Sequence, residues 1–309
     1  MRVKPAVHSG RRHPAPPARL PIALLLIVLP VAAAFGGQHP DRRLPRLLEP
    51  AQRVVSLSPH LTELLFAIGA GEQVVGAMAH SDYPPAARHI PRIGSHGALD
   101  IERILGLQPD LLVAWGSGNR GAALAQLRAV GVPVFSSEPK RLADIAEALR
   151  ELGVLTGRHA QAERQAQAFL RRLRRLQARY SDRPPVTVFY QLWSQPLMTV
   201  GGPQMISRVI RLCGGRNVFA QLDTLAASVS LEAVLIADPE VIVAGTAAAT
   251  RFVWTDRWRQ WPNVLAVRRD NLHWLDPDRM QRHTPRLLDA AQAMCGLLEA
   301  ARAKRPQAR

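Results

Sequence analysis

Three histidines of this 309-residue chain, His60, His80 and His96, each lie beside a stretch of its first third that reads as the end of a β-strand. A neutral imidazole ligates metals and shuttles protons, so the group raises either a metal site or acid–base chemistry. Its spacing is irregular and no motif sets an acid beside it, so polar pocket or surface histidines are the competing reading. Nucleophilic and phosphate chemistry leave no trace. The chain has no G-x-S-x-G elbow, no G-x-x-x-x-G-K-[ST] loop, no H-E-x-x-H helix and no C-x-x-C pair. Gly116-Ser117-Gly118-Asn119 lies between a strand and a helix but lacks the third glycine and later acid of a dinucleotide site. It reads instead as a strand-end loop at the mouth of a crevice. An enzyme is not expected, and an exported hydrolase is the weaker alternative.

The first residues set the compartment in which the rest must work. Arg2, Lys4, Arg11, Arg12 and Arg19 precede an apolar run from Leu20 to Phe35 that ends in Ala32-Ala33-Ala34. Basic start, short apolar core and small-residue end are the parts of a secretory leader, here residues 1–34; an uncleaved anchor is the alternative. Export to the periplasm puts Cys213 and Cys295, the only two cysteines, in an oxidising compartment, where one disulfide is expected; two buried thiols are the alternative. The formal net charge of +16 invites a nucleic-acid reading. The excess is almost wholly arginine, with lysine only at positions 4, 140 and 304, and is spread over helices without interleaved aromatics. Solvated helix faces explain it better, and no nucleic-acid partner is expected.

The elements that must position any site alternate short apolar runs with helical segments, the pattern of parallel sheets covered by helices. Val54–Leu57 predicts a strand, Leu61–Ile68 a helix capped by Gly69, Val74–Gly76 a strand, Ile101–Leu107 a helix, Leu111–Trp115 a strand and Gly121–Val130 a helix. Arg158–Tyr180 predicts one long helix, with Phe169, Leu170, Leu173 and Leu176 on one face and arginines around the other. At 1.5 Å per residue it would reach roughly 33 Å, enough to bridge two lobes. Leu99–Ala114 (LDIERILGLQPDLLVA) and Val229–Ala244 (VSLEAVLIADPEVIVA) align without a gap, matching Glu102 to Glu232 and Pro109 to Pro239. The fold class that follows is α/β, two Rossmann-like lobes with central parallel sheets joined by one long backbone helix. The expected divisions are a linker at 35–52, a first lobe at 53–157, the bridging helix at 158–182, a second lobe at 183–303 and a tail at 304–309. Ligands in such folds lie at the carboxyl ends of the strands, in the crevice between lobes.

Five segments in order carry a resemblance over nearly the whole chain beyond the leader. They are Ser56–Leu64 (SLSPHLTEL), Ser81–Pro84 (SDYP), Leu99–Trp115, Leu212–Phe219 (LCGGRNVF) and Thr284-Pro285-Arg286. Together they resemble the periplasmic cobalamin-binding proteins of vitamin B12 ABC importers, within the helical-backbone class of solute-binding proteins. The resemblance implies that Tyr83 and Trp115 line the two sides of a corrin pocket, and that Asp278, Arg279, Met280, Gln281 and Arg282 meet the ligand from the second lobe. Pro59, His60, His96 and Trp193 are secondary candidates for the same pocket, and one histidine could approach the metal of a macrocycle. Aromatic side chains cover flat apolar faces at low entropic cost, which suits such a cargo. Asp278 and Arg282 are also spaced as an ordinary i, i+4 surface ion pair. The resemblance further implies that Glu102 and Glu232 dock arginines of a permease served by an ATPase, that the chain acts as a monomer, and that cobalamin is cargo, with no catalytic cofactor and no protein-held metal. Haem or a ferric siderophore on the same fold is the alternative. His96 and Ala226 stand where the family has tryptophans, which leaves the lining of the pocket in question.

Overall fold

The computed structural model describes Met1 and residues 44–95, 98–119, 121–246 and 253–306. The leader beyond Met1 and His96 lie outside these residues. Among the described residues no helix is long and apolar enough to cross a membrane.

The first lobe begins with Val54–Ser56 (β1) and Pro59–Ala67 (α1), then Val74–Ala77 (β2). A two-residue hairpin, Gly94–Ser95 (β3) and Ala98–Leu99 (β4), precedes Ile101–Gly106 (α2). Leu111–Trp115 (β5), Ala122–Ala129 (α3), Val134–Ser137 (β6) and Asp144–Leu155 (α4) complete it. Its sheet runs β2-β1-β5-β6 with every pair parallel. β1 and the first four residues of β5 are buried throughout, as strands covered on both faces must be.

His159–Tyr180 (α5) is the bridging helix, within a residue of where periodicity put it. Ala162, Ala166, Phe169, Leu173, Leu176 and Tyr180 form its buried stripe at spacings of three and four. The second lobe follows: Val186–Ser194 (β7), Leu197–Val200 (β8), Met205–Leu212 (α6), Gly215–Asn217 (β9), Ala226–Ser228 (β10), Leu231–Ala237 (α7) and Val241–Ala244 (β11). Val253–Arg259 (α8), Leu265–Arg268 (α9), Leu272–Trp274 (β12), Pro277–Met280 (α10) and Leu287–Ala303 (α11) close the chain. The centre of this sheet is parallel, with β7 beside β11 and β11 beside β12, but β8 turns back on β7 and β10 on β8, so its edge is antiparallel. The sequence pattern anticipates the parallel part only.

The aligned segments are one structural unit used twice. Asp100 and Ser230 occupy the same place and both cap their helices, each accepting a backbone N–H three residues on. Gln108 and Asp238, again equivalent, both take a left-handed backbone, at φ 47° and 38°. Asp110 N donates to Arg53 O and Glu240 N to Thr187 O, at 3.0 and 3.1 Å, so the correspondence reaches the neighbouring strand.

Three apolar clusters result. One lies on the outer face of each sheet, and one runs from α1 and α4 past α5 to α6 and α11, so the inner faces of both lobes share a continuous core along the bridging helix. The Cys213–Cys295 disulfide ties the end of α6 to α11 inside that core, with 4.6 Å between the Cα atoms.

Candidate functional site

The first lobe offers its strand ends. Ser58 caps α1, accepting the Leu61 N–H, and Pro59 sits in the first turn, where its missing N–H costs nothing. Thr62 Oγ1 donates within reach of Ser56 Oγ at 2.9 Å and Ser81 Oγ at 3.1 Å, which binds the end of β1 to the loop after β2. His60 is thereby presented from the first turn of a fixed helix, with Nδ1 3.1 Å from Ser58 Oγ. Trp115 ends β5 in an equally tight loop. Asn119 accepts the Trp115 N–H at 2.7 Å and donates to Leu57 O at 2.9 Å, and a Cβ on Gly118 would fall 2.0 Å from the indole. Only glycine lets the loop fold against that ring.

The second lobe answers with one segment, residues 275–286, which follows β12. Arg282 donates to Asp82 Oδ1 at 2.9 Å and to His80 O at 3.2 Å across the lobes, and to Asp278 Oδ1 at 2.8 Å within its own. Burial acts to raise the Asp82 carboxyl, but the Arg282 hydrogen bond and charge outweigh it and hold it below the ordinary range. Arg286 forms a two-pronged pair with Glu63, at 2.7 and 2.6 Å, and Glu63 is only 3% exposed. The same guanidinium lies 3.5 Å from the centroid of the Tyr83 ring. Tyr83 is nonetheless 40% exposed, so it is backed by a cation and remains accessible.

Between these ties sits a cluster of three rings from both lobes. His60 meets Trp115 edge-on at 5.4 Å between centroids, His283 lies 5.7 Å from His60, and Trp115 and His283 are 6.4 Å apart. His60 and His283 are 6% and 8% exposed. His60 Nε2, His283 Nδ1 and Trp115 Nε1 are buried and have no hydrogen-bond partner among the described residues. Desolvation first, then His283 and Arg282, push His60 well below the ordinary histidine range, and desolvation pushes His283 down to about 4. Both imidazoles are therefore uncharged at neutral pH. The arrangement supplies flat aromatic surface, cationic hydrogen-bond donors and neutral imidazoles. Among the described residues no group of three metal-ligating side chains forms.

Residues 54–271 match the family described as periplasmic binding protein. The chain belongs to that family. It is 37% identical over 253 residues to the vitamin B12-binding protein of Vibrio cholerae serotype O1, covering 82% of this chain and 91% of that one. It is 38% identical over 246 residues to the vitamin B12-binding protein of Yersinia pestis, covering 79% and 85%. The crystal structure of the periplasmic vitamin B12-binding protein BtuF of Vibrio cholerae superposes with a TM-score of 0.77 at 36% identity, over 82% of this chain and 98% of BtuF. The periplasmic haem-binding protein RhuT from Roseiflexus sp. RS-1 gives 0.71 at 26% identity, over 81% and 99%.

Within this periplasmic binding protein the expected site residues separate. Tyr83, Trp115, His60, Asp278 and Arg282 gather where the lobes touch, with Pro59 in the turn below His60. Gln281 donates to Gly245 O at 2.9 Å at the end of β11. Arg279 is exposed and pairs with Asp276, and Met280 is wholly buried in the shared core, so neither joins the ring cluster. Trp193 is 58% exposed at the end of β7, and close to it, inside the second lobe, lies a cavity of about 370 Å³ lined by Ser194, Pro196, Leu231, Trp254 and Trp258. His80 is exposed at a left-handed position, and the partner of His60 is His283. Glu102 and Glu232 are both exposed, each in the first turn of its capped helix, and among the described residues neither joins an ion pair. Sequence reading passed over His283, Arg286, Glu63 and Asp82. All four lie in or beside the quoted segments SLSPHLTEL, SDYP and Thr284-Pro285-Arg286, but only the closure of the lobes gives them partners.

Proposed function

We propose that this periplasmic binding protein captures cobalamin, or a corrinoid close to it, between its lobes and hands it to an ABC importer. The observation that carries the reading is the 37% identity, over 82% of the chain, to a Vibrio cholerae protein named for vitamin B12 binding. The site supports it. A broad conjugated ring needs flat apolar walls and a polar rim, and Tyr83 and Trp115 offer the first while Asp278, Arg282 and Gln281 offer the second. The chain performs no bond-making on its cargo and needs no catalytic cofactor. It works in the periplasm as a monomer, and the energy for import comes from the ATPase of the partner complex. Glu102 and Glu232, equivalent positions on two lobes, suit a permease with two-fold symmetry, each accepting hydrogen bonds from an arginine.

Titration of the purified protein with cyanocobalamin in a calorimeter tests this. Saturable binding at one corrinoid per chain is expected, and a silent titration with colourless protein after gel filtration overturns the reading. The resemblance to RhuT favours haem as the second cargo. A haem absorption band in protein purified from haem-rich medium, without corrinoid binding, would install it instead.

A further inference from the structure

The bridging helix carries more positive charge than its place in the fold explains. α5 holds six arginines and a single acid, Glu163. That acid is already engaged, accepting from Arg150 of α4 at 2.7 and 3.2 Å and from Gln167 at 2.9 Å. Arg172 turns to α11, where it pairs with Asp289. The other five, Arg164, Arg171, Arg174, Arg175 and Arg179, are exposed, and among the described residues none of them joins an ion pair. Helix geometry lays them in a row about 22 Å long, with Arg164, Arg171 and Arg175 within about 40° of one another on the side away from the buried stripe.

Solvation accounts for scattered surface arginines but not for this row. Arg171 and Arg175, like Arg175 and Arg179, are equal charges four residues apart, a spacing that disfavours a helix. The helix dipole favours a cation in the last turn, which covers Arg179 and none of the others. Lysine would solvate the face as well, yet α5 contains none. A guanidinium differs in its planar fork, which fits two oxygens of one phosphate. The face also lacks an apolar anchor, since Gln167, Ala168 and Ala178 fill the gaps and α5 exposes no large hydrophobic side chain. Protein interfaces bury an apolar core, so a flat array of cations without one fits a layer of phosphates better.

We propose that the exposed face of α5 binds the phosphate headgroups of anionic phospholipid, and so holds the free carrier on a membrane surface without inserting into it. The inference rests on export and not on which cargo is carried. The helices that present Glu102 and Glu232 cover the outer faces of the two sheets, whereas α5 lies along the shared core, so lipid and permease meet different surfaces. With no apolar residue to insert, the attraction is electrostatic throughout, and salt reverses it.

The purified exported protein is floated with vesicles of phosphatidylcholine, alone or with about one third phosphatidylglycerol, at about 50 mM and about 500 mM salt. It is expected to float with the anionic vesicles at low salt and with neither kind at high salt. Each guanidinium close to an anionic surface adds roughly fivefold to partitioning, so the triple variant Arg164→Gln, Arg171→Gln, Arg175→Gln should bind about a hundredfold more weakly. The triple variant Arg128→Gln, Arg257→Gln, Arg268→Gln removes the same charge from exposed positions on α3, α8 and α9, and should lose less than about threefold. Circular dichroism and cyanocobalamin titration of both variants run alongside and should match the wild type. No flotation with anionic vesicles at low salt, or equal losses in the two triple variants, overturns the proposal and marks the row as a solvated face only. Release from the vesicles by glycerol phosphate at matching phosphate concentration also overturns it and assigns the row to a soluble phosphate compound. These outcomes leave the carrier reading standing, because corrinoid binding is followed separately. A silent corrinoid titration with intact flotation removes the carrier reading alone.

Discussion

The two lobes are alike where they face outward and unlike where they face each other. The duplicated helix–turn–strand keeps its cap, its left-handed turn and its bond to the next strand in both copies, and in both the glutamate of the first helical turn stays exposed. The facing surfaces share nothing of this kind. The first lobe offers residues from three strand ends, each held by short hydrogen-bonded loops, whereas the second offers one continuous segment anchored by two arginines. Duplication therefore supplies the frame, and the facing surfaces differ from lobe to lobe. A two-fold symmetric partner can read the frame; an asymmetric cargo needs the unlike surfaces.

The disulfide is the sharpest asymmetry in stability, because it staples the second lobe alone. It closes a loop of 82 residues, which in the chain-entropy model is worth about 4 kcal/mol. Cys213→Ala with Cys295→Ala should lower the urea midpoint accordingly. Limited proteolysis should cut first in the second lobe. If the first lobe is cut first, the two lobes do not differ in stability as the disulfide implies.

Next comes the tie between the lobes. Arg286→Ala strands the Glu63 carboxylate, which is 3% exposed, and loss of one partner of a buried pair costs about 3–5 kcal/mol. Partial exposure of the Arg286 side chain, at 18%, argues for the lower end. The double variant Arg286→Met, Glu63→Gln should recover most of the loss in denaturant unfolding, since neither charge is then buried alone. A double variant as unstable as Arg286→Ala would mean the arginine matters for packing against Tyr83 and not for its charge.

Much of the frame was legible in the sequence. Helix α5 lies within a residue of its expected start, and the internal alignment exposed the duplicated unit, because caps, turns and buried strands are set by neighbours a few positions away. The antiparallel edge of the second sheet was not legible, since β8 and β10 are short and lack a distinctive period. The site was legible in part. Tyr83, Trp115 and Arg282 stood in recognisable segments, but Arg286–Glu63 and His60–His283 each join residues more than 220 positions apart, and no local pattern encodes such a contact. Met280 shows the opposite failure, for it lies in a segment that resembles a ligand loop and its side chain fills the core.

A smaller effect probes how the first lobe aims its indole. Gly118→Ala places a methyl group against Trp115, and overpacking of this kind costs about 1–3 kcal/mol, mostly taken up by moving the ring. Cyanocobalamin affinity should fall about tenfold, on the scale of 1.4 kcal/mol per decade, with a smaller loss in thermal stability. An unchanged affinity would show that the Trp115 wall does not touch the cargo.

The smallest expected effect on the folded protein is also the most direct test of likeness between the lobes. Glu102 and Glu232 are exposed in the first turns of equivalent helices, where an acid favours the helix dipole. Hydrogen bonds from its own N–H and from Ser230 hold Glu232 below the ordinary carboxylate range, so it is charged throughout the neutral region. Glu102→Ala and Glu232→Ala should each leave the unfolding midpoint nearly unchanged and corrinoid binding unaltered. Under the proposed docking, transport in vesicles carrying the importer should fall in both, by similar factors, because a permease with two-fold symmetry would meet the two lobes through the same chemistry. A large loss from one and none from the other would show that the duplicated frame is not read symmetrically, and would move the docking contact to residues the lobes do not share.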